Sequence, residues 1–181
     1  MRKHNGMRPQ DVAILLKIIA LRESEWQLAT LSHSLKISLS EISESLNRSR
    51  TANLLSANKK TVHRQNFLEF LQYGVKYVFP VQPGSLVQGI PTAHAHPSVQ
   101  NKFISNINYV WPHTNGTSLG LALTPFYPGQ AEAVQTDGFF YELLALVDMI
   151  RAGRVREVEY AVPKLEEHFL QHPSLLQAHT T

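Results

Sequence analysis

Proline divides this chain. Between residues 8 and 79 there is one, Pro9, whereas residues 80–129 hold seven of the ten in the sequence and five of its nine glycines. A proline inside a helix removes a backbone donor and clashes with the preceding turn, so long helices belong before and after that block. The sequence therefore predicts a mainly α chain in three zones. These are a helical region over 8–80, a Pro/Gly-rich connector with short strands over 81–136, and a helical C-terminal element over 137–172. The first few residues and the tail beyond His172 are expected to be mobile.

Helical spacing fills in the outer zones. Pro9 suits a first helical turn, and Val12, Leu15, Leu16 and Ile19 give the helix that follows an apolar stripe as far as Arg22. A second helix is expected from about Gln27 to Leu35. A third begins after Ser38, where Ser38-Leu39-Ser40-Glu41 reads as a capping box with Glu41 reaching back to the cap. A fourth amphipathic segment runs from Asn66 to about Val78. Asp137 can cap a helix from Gly138 to Ala152, with Gly153 as its stop. Phe139, Leu143, Leu144, Val147 and Ile150 recur along it, and Phe140, Tyr141, Leu146 and Met149 widen its apolar surface. Such a helix wants cover on more than one side. That cover is expected either from a second copy, through a dimerisation face, or from the monomer's own core. In the charged stretch after Gly153, Pro163 predicts a kink or a restart.

The net charge of +3 is unevenly placed. Residues through 80 carry twelve Lys/Arg against six acids, and the remainder five against eight. A polyanionic partner would meet the first 80 residues.

Residues 31–55 concentrate the informative pattern. Leu31, Leu35 and Ile37 would bury one helix and a turn, Ser38 would cap the next helix, and Ile42 and Leu46 would anchor it. Its opposite face would then be free to enter a major groove. This stretch resembles the helix-turn-helix of bacterial winged-helix regulators of the MarR-like kind. Four positions depart from the family's preference: Ser32 for alanine, Lys36 for glycine, Ser49 for leucine and Asn53 for glycine. Asparagine tolerates the left-handed conformation that ends a helix. Lys36 would cost on the order of 1 kcal/mol if its turn needs a positive φ. The resemblance implies a short two-stranded wing after the helix, built from Leu54-Leu55-Ser56, a turn at Ala57-Asn58 and Lys59-Lys60-Thr61-Val62.

A DNA-reading helix here implies base contacts from Ser40, Ser43, Glu44 and Asn47. Asparagine pairs bidentately with adenine, glutamate accepts from cytosine and serine is permissive. Leu39 falls beside Ile42 and Leu46 by periodicity, yet in the family that position lies near a thymine methyl. Phosphate contacts are expected from Ser38, Arg48, Arg50, Lys59, Lys60 and Arg64, with His63 beside them.

Other chemistries find little purchase. There is no cysteine, which removes disulfides, thiolate metal sites and cysteine nucleophiles. No glycine-rich phosphate loop or serine elbow is present. His94 and His96 would point to one side of a strand; His113 and Asp137 are available as further metal ligands, but nothing in their spacing demands the role, and the pair reads as incidental histidines in a proline-bounded loop. Neither a metal nor a cofactor is expected. The aromatics of 79–127 could line an effector pocket or simply anchor an irregular segment. No apolar run approaches the length of a membrane span and no signal peptide is evident, so a cytoplasmic location is expected. The sequence thus predicts a non-enzymatic, homodimeric transcriptional regulator that binds double-stranded DNA. It would be an autoregulating repressor or an antitoxin-type regulator, with a protein partner or small-molecule effector. The alternative is a protein-interaction adaptor whose helix-turn-helix does not bind DNA.

Overall fold

The computed structural model describes residues 6–22 and 24–170, so expectations about the first residues, Glu23 and the tail beyond Leu170 lie outside it. It is mainly helical, with eight α-helices among the described residues and a small three-stranded sheet. No described helix is long and apolar enough to cross a membrane.

Helix α1 (Pro9–Ala20) starts at its proline, and the Asp11 carboxylate accepts the Arg8 backbone N–H at 2.8 Å. Every residue from Asp11 to Ile19 is buried, not only the expected stripe. The reason is cover on two sides: α2 (Leu28–Leu35) and α3 (Leu39–Thr51) pack on one and α7 (Gly138–Ala152) on another. The fourth segment breaks at Gly74 into α4 (Arg64–Tyr73) and a single turn, α5 (Val75–Val78).

In the proline-rich zone, β1 (Leu86–Thr92) pairs antiparallel with β2 (Tyr109–Pro112) and β3 (Ser118–Ala122), with Ile90 opposite Trp111 and Val87 opposite Gly120. A short parallel pairing of Tyr109 with Leu121 closes the three strands on themselves. The closure is tight at Gly89, where a Cβ would sit 2.2 Å from the Trp111 carbonyl oxygen, so no larger residue fits. A short helix, α6 (Gln130–Ala133), follows the sheet and was not expected in this zone.

Asp137 caps α7 as predicted, accepting the Phe140 N–H at 2.9 Å, and the same carboxylate takes Lys17 of α1 at 2.6 Å. Trp111 and Thr92 of the sheet donate to Asp148 of α7, at 2.7 and 2.9 Å. One continuous core therefore runs through all three composition zones, from Val12 to Phe169.

Two expectations are corrected. Helix α8 (Val155–Leu170) does not restart at Pro163 but continues through it. Both Pro163 and Glu159, whose carbonyl loses its bond, are exposed, so water can take that carbonyl. The proposed dimerisation face is spent inside the monomer: Leu143, Leu144 and Val147 are 0% exposed and Ile150 2%, while Phe139 packs half-buried against the same core. The breadth of apolar surface on α7 reflects cover by α1, α8 and the sheet edge, not a second copy.

Candidate nucleic-acid interface

The turn between α2 and α3 is built by its own residues. Lys36 ends α2 in the left-handed region at φ 59°, and Asn53 leaves α3 at φ 57°. Both positions take positive φ here, and asparagine adopts it more easily than lysine. Ser32, where the family has alanine, donates its hydroxyl to the Ile37 carbonyl at 2.6 Å and so ties α2 across the turn. Leu31, Leu35 and Ile37 are buried beneath it.

Ser38 caps α3 by accepting the Glu41 N–H at 3.3 Å. The second half of the expected capping box is replaced. The Glu41 carboxylate turns to α1, accepting from Gln10 Nε2 at 2.7 Å and pairing with Arg8 at 3.7 Å. Ile42 and Leu46 anchor the buried face together with Ser45 and Ser49, whose hydroxyls are enclosed without a partner among the described residues.

The outward face collects Ser40, Ser43, Glu44 and Asn47, at the i, i+3, i+4, i+7 spacing of one helix side. Ser40 and Glu44 are exposed, Ser43 and Asn47 half-buried. Leu39, at the first position of α3, is 53% exposed although helical spacing sets it beside Ile42 and Leu46.

The proposed phosphate contacts divide. Arg48 is 8% exposed and grips Asp11 of α1 through two bonds, Nε to Oδ2 at 2.8 Å and Nη2 to Oδ1 at 2.7 Å. This pairing raises the Arg48 pKa, the hydrogen bond to Asp11 outweighing burial. Arg48 is therefore a structural cation, turned inward because α1 offers it a wholly buried carboxylate, and it leaves the set of phosphate contacts. Arg64 points its Nη1 at the Phe169 carbonyl, 2.8 Å away, and burial lowers its pKa. Lys60 donates to the Trp26 carbonyl at 2.9 Å, with its ammonium 4.2 Å from the centre of the Trp26 ring. Arg50 and Lys59 remain without a protein partner among the described residues, and Arg50 is exposed.

After α3 the chain forms a minimal hairpin. Leu55 bridges Val62, and His63 N–H reaches the Leu54 carbonyl at 2.9 Å. Asn58 orders the tip, its Oδ1 accepting from Ser56 Oγ at 2.6 Å and Lys60 N at 3.0 Å. Lys59 takes a left-handed conformation there. The Lys60–Trp26 contact, which pins this hairpin to the loop before α2, had no signal in the local spacing. The Arg48–Asp11 pair had one: Asp11 sits one turn before Leu15 on the apolar stripe of α1, and a carboxylate on a buried face requires a cation.

His94 and His96 lie in a tight turn after β1, not on a strand, and engage different partners. His94 Nε2 is 3.0 Å from the Ile107 carbonyl and its Nδ1 3.0 Å from Glu157. His96 Nδ1 accepts from Ser98 N at 3.2 Å, and burial depresses its pKa to about 4. Among the described residues no group of three histidines or acids is placed to hold a metal ion. Compared with protein families, with curated proteins and with solved structures, the chain matches none of them.

Proposed function

We propose that the protein is a sequence-specific DNA-binding regulator in which α2, the turn at Lys36–Ser38 and α3 form the reading unit of a winged helix-turn-helix. The observation that carries this reading is the two-sidedness of α3. Ile42, Leu46 and the Arg48–Asp11 pair fix one side to the core, while Ser40, Ser43, Glu44, Asn47 and Arg50 stand on or beside the other. A helix held so firmly by one flank and offering short polar side chains on the other suits base-edge contact in a major groove. The hairpin 54–63 takes the place of a short wing, with Lys59 and Arg50 as phosphate contacts. Regulation is by non-covalent binding in the cytoplasm, as an autoregulating repressor or antitoxin-type regulator. Two copies read two half-sites, because one recognition helix contacts too few base pairs to discriminate against a genome. The copies pair through a face other than α7.

Selection from a random duplex pool at low salt tests this. An enriched motif of two related half-sites is expected. Folded protein that enriches nothing would end the reading.

One observation favours an adaptor instead. With Arg48 turned inward, the fully exposed charges on α3 are Glu44 and Arg50, so the helix carries no positive strip. If α3 is a protein-binding face, Asn47→Ala weakens a protein partner and leaves DNA retention unchanged.

A further inference from the structure

We propose that the outer face of the β1–β3 ladder, with the loop that leads into β2, is the surface through which two copies of this chain pair. The register puts Leu86 opposite Leu121 and Gln88 opposite Leu119. Cross-strand partners share a face, as do alternate residues of one strand, so these four side chains stand together. The opposite face carries Gly89 and Gly120, both buried. Outward positions on a ladder with one packed face are normally polar. Here Leu86 is 57% exposed and Leu119 62%, with Leu121 half-buried beside them.

The patch continues onto the loop. Carried back by two residues, the parallel register of Tyr109 with Leu121 sets Ile107 level with Leu119. The Asn108 carbonyl extends that ladder, accepting the Leu121 N–H at 2.8 Å. Ile107 is 50% exposed although its own carbonyl is held, 3.0 Å from His94 Nε2 and 2.8 Å from Ser105 Oγ. Ile104, three residues earlier, is fully exposed. Single apolar side chains are scattered over any protein surface, but leucines and an isoleucine side by side mark a contact.

Charge says what covers it. Between Lys76 and Glu132 lie 55 residues with one Asp, Glu, Lys or Arg among them, Lys102, in a sequence that is 17% charged. Lys102 is turned to α8, its ammonium 5.6 Å from the centre of the Tyr160 ring. Depletion of charge is the compositional mark of an interface core. A charged partner would find nothing here to pair with and would bury its own charges unanswered. A second copy brings a face as neutral as the first, matched to it by two-fold symmetry. An added strand is not the occupant, because each of the three strands already pairs on both sides. The inference deepens the regulatory reading, on which it rests for the number of copies, by naming the face they share.

The test uses the full chain without DNA, so pairing and DNA reading can fail separately. Light scattering at micromolar concentration should give twice the mass of the chain. The urea midpoint should rise with protein concentration, as it does when only the folded state associates. Leu119→Glu and Leu86→Glu charge side chains that are already open to solvent in the single chain, so each folds, as circular dichroism would verify. Each should weaken pairing roughly tenfold or more and return the mass of one chain. Leu119→Thr, a good strand former, keeps the ladder without adding charge and should weaken pairing in the same direction. A wild type of single-chain mass, or a dimer unchanged in all three variants, overturns the proposal. In the second case a selected motif of two half-sites would still stand, read by copies that pair elsewhere.

Discussion

The guanidinium of Arg48 and the carboxylate of Asp11 form a two-bond ion pair almost wholly removed from water, joining α3 to α1 across 37 positions of sequence. A buried pair is weak evidence for net stability, but breaking one strands the other charge. Arg48→Met alone should therefore destabilise by about 3–5 kcal/mol, whereas Asp11→Leu with Arg48→Met should cost far less. Urea denaturation of both single variants and the double variant closes the cycle. Additive losses would mean that the pair is not coupled.

Removing Arg48 from the phosphate contacts changes the expected salt dependence. Arg50 and Lys59 are the cations left without protein partners, so the logarithm of affinity should fall with the logarithm of salt by a slope of about 2 per subunit, at ~0.9 per contact. A slope near 5 would mean that Arg48, Lys60 and Arg64 let go of Asp11, Trp26 and Phe169 on binding. In the same titrations Asn47→Ala should cost about 1–3 kcal/mol on the preferred site and relax one base pair, while Lys59→Ala weakens all sequences alike.

Lys36 holds φ 59° without being glycine. Its Cβ is disfavoured there by about 1–2 kcal/mol, and glycine returns part of that gain through greater freedom in the unfolded chain. Lys36→Gly should thus raise stability by about 1 kcal/mol in chemical denaturation, despite losing the exposed 3.8 Å contact to Glu132. A loss of stability would show that the turn is not strained.

Acid should loosen the contact between the 93–98 turn and α7. His96 is 6% exposed, and burial holds its folded pKa near 4, against an ordinary value of 6.5. A base with a depressed folded pKa binds its proton preferentially in the unfolded chain. Its contribution is fully present above pH 6.5 and is lost as pH falls towards 4, amounting to about 3 kcal/mol. Glu142, with its carboxyl pKa lowered chiefly by the His168 imidazole 3.7 Å away, acts in the same direction below that window. Asp148, pushed up mainly by burial, acts in the opposite direction. His96→Gln should flatten the stability profile between pH 6.5 and 4; an unchanged slope would assign the acid limb to the carboxylates.

What was legible in the sequence is what neighbouring residues decide among themselves. Ser38 and Asp137 cap their helices, and Lys36 and Asn53 turn left-handed. Each depends on a few consecutive positions. Apart from Pro163 and the turn at His94–His96, the errors involve partners far along the chain. Arg48 looked like a surface cation until α1 placed Asp11 under it, and the Lys60 ammonium was taken up by Trp26, 34 positions away. The width of the apolar surface on α7 said that the helix needed cover, but periodicity carries no information about whether that cover comes from the same chain.

Helix α1 has no solvent face between Asp11 and Ile19, because α2 and α3 cover one flank and α7 another, with Lys17 fastened to the cap of α7. The region before the prolines is consequently not a cassette. Cut after residue 80, it would expose the apolar flank of α1 and strand the Lys17 ammonium, so grafting this helix-turn-helix onto another protein should yield an aggregating fusion. Substitutions in α7 become inheritable changes in how α3 is held, transmitted through α1.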